Sequence, residues 1–444
     1  MHDVLDLGDI LSDEFAQRAE SGFDVADLEA DVRAAAKNGS TSEQVKLLET
    51  LEGRAIRSDW SYEEPSEWSG IHAALDRPDL PVQDLDEAHL RERLEGAWLG
   101  RCAGCNLGKP VEGWSRERIR KYLDLADAYP IDDYLPRLDP FPEGLELNWC
   151  WPETTRGNIR FMARDDDTDY TILGLHILEE HGLDFGPLHV GGEWLHHLPF
   201  AQTYTAERAA YRNMIEGRRP PETATVRNPY REWIGAQIRG DMWGYVSPGD
   251  PAAAAELAFR DASLSHTQNG IYGEMWASAL IASCFVAPDL RSATESALGF
   301  VPPRSRLAEA VRHVLELFDE GRSWEETRDE IEARYGHYSF VHTINNSAIV
   351  TAALLWGKDD FSRTIGLAVE GGWDTDCTGA TTGSIFGAKF GAGALPARWV
   401  EPLSDRISSA IAGFDNSRIS DLVQRTEALV HSHRETKPAG PGGG

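Results

Sequence analysis

Glycine recurs every fourth residue along Gly100-Arg-Cys-Ala-Gly104-Cys-Asn-Leu-Gly108, and this spacing constrains the fold more than any other feature of the chain. Four residues make about one helical turn, so these glycines share a helix face that lets another backbone come close. Pro110 then ends the helix, because proline lacks an N–H and clashes with the preceding turn, and Glu112 follows in a loop. A carboxylate just past a helix end can reach into a cleft; a packing helix followed by an exposed Glu is the plainer alternative. A second run of small residues, Thr381 to Gly393, allows the same close approach, to a ligand or to another helix.

Elsewhere apolar residues recur at spacings of three and four, as in Leu307, Val311, Val314, Leu315 and Phe318. That is the signature of amphipathic helices, and the chain reads as all-α. Residues 25–56 read as one or two acidic surface helices and 57–85 as an irregular connection, so an N-terminal helical extension with its connection (1–86) precedes a main body (87–432). An insertion from about Trp114 to Arg164 is too long and too aromatic for a mere turn. The end of the chain, 433–444, closes on Lys-Pro-Ala-Gly-Pro-Gly-Gly-Gly and is expected to be a disordered tail.

With 43 basic and 73 acidic residues the formal charge is −30, so nucleic acid is not an expected partner. The acidic, lysine-poor balance would suit a salt-rich cytoplasm. No apolar run reaches the roughly 18 residues of a membrane span, and the acidic N-terminus does not resemble a secretory leader, so a cytoplasmic protein with no membrane partner is expected. Five cysteines are too few and too scattered for a disulfide framework. Cys102 and Cys105 have CxxC spacing, but no second pair follows, and packing is the favoured reading.

Two acidic clusters stand immediately before helical patterns: Asp165-Asp166-Asp167 and Asp374-Thr375-Asp376. Acids at a helix start cap free N–H groups and complement the dipole, which explains each cluster in part. Three successive carboxylates repel one another more than capping requires, and a divalent cation would relieve them. Oxygen donors favour Mg²⁺, Mn²⁺ or Ca²⁺ over zinc or copper. The polar runs Ser265-His266-Thr267-Gln268-Asn269-Gly270-Ile271-Tyr272 and His342 to Ser347 also sit at helix starts. Capping accounts for much of their chemistry, yet a sugar or phosphate site would use the same groups, so His266, Asn269, Gly270, Tyr272 and Asn346 are candidate substrate contacts, with Gly372 beside the second acidic cluster.

Taken in order, Gly96 to Glu112, Asp165 to Thr168 and Gly371 to Asp376 resemble three motifs of the ADP-ribosylglycohydrolase family. The resemblance implies an orthogonal multi-helix bundle with a central cleft holding two Mg²⁺ ions, with Mn²⁺ as the substitute. It matches Asp166 and Asp167 to one pair of acids, Asp374 and Asp376 to a second, and Glu112 to an acid that positions substrate or water. Asp165 joins them as a candidate ligand and departs from the family, which usually has threonine there; Cys377 likewise stands where threonine usually follows the second pair. The implied activity is hydrolysis of a glycosidic bond at the anomeric carbon of a ribosyl group, with Glu112, Asp166 and Asp167 as catalytic candidates. The implied partner is an ADP-ribosylated protein or a small ribosyl or ADP-ribosyl compound. Mg²⁺-dependent binding of ADP-ribose or a related nucleotide without turnover is the alternative, and a purely structural role the third.

Overall fold

A computed structural model describes residues 3–75, 85–86 and 88–436, and among them the chain is helical throughout, with isolated β-bridges and no strand. The helices that matter below are α1 (Leu7–Glu20), α2 (Glu29–Asn38), α3 (Thr41–Glu52), α4 (Leu90–Gly108), α5 (Arg116–Leu125), α6 (Asp166–His181), α7 (Pro187–His197), α8 (Pro251–Ala262), α9 (Gln268–Cys284), α10 (Arg306–Asp319), α11 (Thr343–Trp356), α12 (Phe361–Glu370), α13 (Thr375–Phe390) and α14 (Ile419–Thr436).

The glycine face of α4 packs on α13. A Cβ placed on Gly100 would fall on the Gly383 carbonyl, one on Gly104 on the Gly379 carbonyl, and one on Gly108 on the Thr375 carbonyl; Gly387 meets Gly96 in the same way. Partner numbers fall as α4 numbers rise, so the helices run antiparallel with their backbones touching. Any side chain at these positions would force them apart. This register carries the C-terminal end of α4 to the start of α13, where Thr375 Oγ1 donates to the Gly108 carbonyl at 2.8 Å.

Around this pair, α9 and α11 are buried on nearly every side, which is how a helix with small and apolar residues all round is accommodated. The amphipathic α10 buries Leu307, Val311, Val314 and Leu315 as its spacing predicts, with Phe318 half-buried. The N-terminal extension has its own small core: Ile10, Leu11, Val25, Leu28, Val32, Leu48 and Leu51 pack together between α1, α2 and α3. Helix α1 lies ahead of the 25–56 span within the helical extension; Asp6 starts it by accepting from the N–H groups of Gly8 and Asp9. The connection is irregular up to a short helix, Trp68–Ala74. At the other end α14 runs to Thr436, past the point where the tail was expected to begin, and 437–444 lie outside the described residues.

The aromatic insertion divides its rings between two roles. Trp114 and Tyr134 are buried, while Trp149 is 84% exposed. Its neighbour Asn148 ties the segment to the turn after α4, with its N–H donating to the Pro110 carbonyl at 2.9 Å and its side-chain amide to the Glu112 carbonyl at 3.1 Å.

Candidate metal centre

Three segments converge where α4 ends and α6 and α13 begin. Two short crossings join the Glu112 turn to the Asp374 turn: Gly113 N–H donates to the Trp373 carbonyl at 2.8 Å, and Trp373 N–H to the Trp114 carbonyl at 3.0 Å. Gly372 and Trp373 both take left-handed backbone, with φ of 76° and 69°. At Gly372 a side chain would in addition strike the backbone of Trp114 and Arg116, so glycine is required there. The Arg328 guanidinium lies 4.1 Å from the Trp373 ring centroid and holds the strained tryptophan in place.

The two aspartate clusters meet. Glu112, Asp374 and Asp376 offer carboxylate oxygens within 4.8 Å of one another, as do Asp167, Asp376 and Cys377 with their ligand atoms, and Cys105, Asp165 and Asp167 form a third such group. Asp376 therefore belongs to two groups at once. Capping separates the acids: Asp165 is the N-cap of α6 and accepts from Asp167 N–H at 3.0 Å, whereas Asp374 holds the N-cap position of α13 without capping it. The Asp374 carboxylate instead meets that of Asp376 in a hydrogen bond.

The other oxygen of Asp165 pairs with the half-buried Lys109 ammonium. Arg101, buried in the glycine-rich helix, donates to the Asp167 carbonyl at 3.0 Å and approaches its carboxylate at 3.2 Å, while also pairing with Asp241 at 2.8 Å. Cys377 Sγ donates to Asp167 Oδ2 at 3.2 Å. Lys109, Arg101 and Cys105 were not singled out as site residues from the sequence. The available signal was a charged side chain inside a run of glycine and alanine, which must find a partner when that run is buried.

The centre remains over-supplied with negative charge. Burial, followed by the charge of Asp165, pushes Asp166 well up; burial does the same to Asp167 against the pull of Arg101. Asp374 is raised by burial and then by Asp376, and burial lifts Asp376 itself to about 6. Glu112 sits exposed at the rim, and its carboxyl is raised first by the charge of Asp376 and then by desolvation. Asp165 alone goes the other way, since Lys109 overcomes the effect of burial. Asp376 Oδ1 is buried without a hydrogen-bond partner. An orphaned buried carboxylate oxygen beside like-charged neighbours fits a hard divalent cation. Cys377 is a poor ligand, because burial and then Asp167 push its thiol well above the usual range.

The remaining candidates divide between two places. Asn346 stands at the centre, its Oδ1 accepting from Asp374 N–H at 3.4 Å, and its amide donating to the Phe340 and His342 carbonyls at 2.8 Å. The α9 residues bond instead to the N-terminal extension and its surroundings. Asn269 donates to Glu64 and Glu232, both at 2.8 Å, and accepts from Leu307 N–H at 3.0 Å. Tyr272 Oη donates to the Pro65 carbonyl, Gly270 lies against the Arg231 carbonyl, and buried His266 meets Ser265 Oγ at 2.8 Å.

The sequence pattern of the ADP-ribosylglycohydrolases matches residues 86–437. The chain belongs to this family. An uncharacterized protein from Archaeoglobus fulgidus is 25% identical over 327 residues, covering 71% of this chain and 93% of that one. A solved structure titled an ADP-ribosylglycohydrolase-related protein complex aligns with a TM-score of 0.50 at 20% identity, over 78% of this chain and 99% of the other. That likeness concerns the fold alone. The match begins at residue 86, so the extension formed by α1 to α3 lies ahead of the family region, and among the described residues no helix is long and apolar enough to cross a membrane.

Proposed function

We propose that the chain is a divalent-cation-dependent glycohydrolase that cleaves the bond at the anomeric carbon of a ribosyl group, carried by an ADP-ribosylated protein or a small ADP-ribosyl or ribosyl compound. The observation that carries this reading is the meeting of Glu112, Asp374 and Asp376 with Asp167. Their oxygens are the ligands of first choice for Mg²⁺ or Mn²⁺, and Asp376, which belongs to two of the groups, would hold the cation together with Asp374 and Glu112. Asp165, expected as a ligand, lies beside Asp167 in a third such group and also pairs with Lys109. Asp166 is half-buried beside Arg164 and can line the cleft. When bound, the cation orients ribosyl hydroxyls and acidifies water.

The chain's own groups supply the rest. Glu112, at the rim with a raised proton affinity, can hold or pass a proton between water and the leaving group. The surplus negative charge of Asp167, Asp374 and Asp376 favours the positive charge that develops at an anomeric carbon. Exposed Trp149, next to the Asn148 contact with the Glu112 turn, offers a face for stacking a base or sugar.

The test is incubation with Mg²⁺ or Mn²⁺ and a panel of ADP-ribosyl-arginine, ADP-ribosyl-serine, ADP-ribose phosphate and nucleosides, read by mass spectrometry. Release of free ribose or ADP-ribose that stops on chelation and in Asp376→Asn is expected. Turnover that survives both would sink the metal mechanism, and cation-dependent calorimetric binding of a ribosyl compound without turnover would replace it with a binding role.

A further inference from the structure

Five of the chain's 14 histidines fall between residues 176 and 197, on α7 and on the part of α6 beyond the turn that carries Asp166 and Asp167. His176 comes from the second half of α6, His181 from its end, and His189, His196 and His197 from α7. Glu193 stands among them. Its Oε2 lies 3.1 Å from His176 Nε2 and 3.0 Å from His197 Nδ1, and its Oε1 lies 2.8 Å from His181 Nε2.

We propose that His176 Nε2, His197 Nδ1 and Glu193 Oε2 form a second metal site, for a borderline transition ion such as Zn²⁺, distinct in place and chemistry from the carboxylate centre. The three ligand atoms lie within 4.8 Å of one another. His197 Nδ1 is buried and has no aligned hydrogen bond despite its closeness to Glu193, so its ring nitrogen is not committed to the carboxylate. The His176 and His197 rings approach edge-to-face at 4.4 Å, and His176 Nε2 and His197 Nδ1 both lie against the same Glu193 oxygen. His181, on the far oxygen, would hold the Glu193 carboxylate in orientation, as donors to metal-bound carboxylates commonly do. Side chains exposed by 13% to 28% leave the cluster open to solvent on one side.

The donor set separates this site from the first. Two imidazoles and one carboxylate suit Zn²⁺ and its neighbours, with an open position for water, and attract Mg²⁺ poorly. The site would clamp α7 to α6 roughly 15 Å along the helix from Asp166, ten residues at about 1.5 Å each, and so brace the helix that presents Asp166 and Asp167.

The experiment uses the untagged full chain in excess Mg²⁺, titrated with Zn²⁺ for stoichiometry and with Co²⁺ for its visible spectrum. One Zn²⁺ per chain that Mg²⁺ does not displace is expected, and Co²⁺ in its place should give the intense absorption of a low-coordinate nitrogen-bound ion. His176→Ala and His197→Ala should each weaken Zn²⁺ binding by at least about tenfold, while Asp374→Asn and His196→Ala leave it unchanged. Glu193→Gln, which keeps the packing, provides the same readout if an alanine variant fails to fold. Absence of a stoichiometric Zn²⁺ ion in the parent chain, or equal affinity in the histidine and Glu193 variants, overturns the site.

Discussion

Two clusters of buried carboxylates gather near helix starts in this protein, and they are balanced in opposite ways. At the junction between the N-terminal extension and the main body, Glu14 pairs with Arg231 at 2.7 Å, and Glu64 and Glu232 share Arg306 at 2.8 and 2.5 Å. Gln17 and Ser21 add hydrogen bonds to Glu232. Against the cost of burial, Arg306 and its neighbours hold Glu232 down to about 2. Glu20 at the edge is the exception, raised to about 8 by burial and the charge of Glu232. At the candidate metal centre Glu112, Asp165, Asp166, Asp167, Asp374 and Asp376 face Lys109 and an Arg101 shared with Asp241, and Asp376 is pushed up to about 6. Carboxylates answered by the chain's own arginines cement the fold. Carboxylates left in surplus could hold a cation from outside.

The largest expected effect separates the two directly. Arg306→Met strands Glu64 and Glu232 and should cost about 3–5 kcal/mol in urea unfolding, a loss that Mg²⁺ does not repair. Lys109→Met should cost a similar amount in chelator, yet Mg²⁺ at about 100 times its dissociation constant should return roughly 2.7 kcal/mol. Equal responses to Mg²⁺ in both variants would erase the distinction between the clusters. Next in size, Asp376→Asn should lower turnover at least about 100-fold, beyond what loss of a supporting contact costs, while raising the melting temperature of the metal-free protein by relieving repulsion. Glu232→Gln should do the reverse, lowering stability with turnover per folded molecule retained.

A subtler contrast lies in pH. Glu232 is depressed from 4.5 to about 2, so its stabilisation is complete above pH 4.5 and is lost as the pH falls through 2. Asp376 is raised from 3.8 to about 6, so its contribution favours the fold below pH 3.8 and is lost as the pH rises through 6. Unfolding measured across this range should show that second loss vanish in Asp376→Asn and shrink in Mg²⁺, and the first vanish in Glu232→Gln. The smallest effect concerns the rim: Trp149→Ala should raise KM about tenfold, about 1.4 kcal/mol of stacking, with kcat nearly unchanged.

The same contrast explains what could be read in advance. His266, Asn269, Gly270 and Tyr272 carry the polar groups of a sugar site, but the partners of Asn269 and Tyr272 are Glu64, Pro65 and Glu232. A side chain that caps a helix or grips another segment has the same local signature as one that grips a substrate, because hydrogen-bonding capacity does not specify the partner. The bounds of helix α1 were not legible for a related reason: its short apolar face is defined only where the small core of α1 to α3 closes over it.

The sequence by itself determined the helical class, the order of the three motifs and hence the family, and the face along which α4 would pack, because spacing and residue type are local properties. It did not determine what met that face. The antiparallel register of Gly96, Gly100, Gly104 and Gly108 on α13 brings Glu112 and Lys109 to Asp374 and Asp376, and that register is decided by contact between backbones far apart in the chain. Tertiary structure also assigned the acids their tasks: Asp165 to a helix cap and a lysine, Asp374 to neither. A carboxylate's role depends on the charges around it, and here those charges come from segments that only folding brings together.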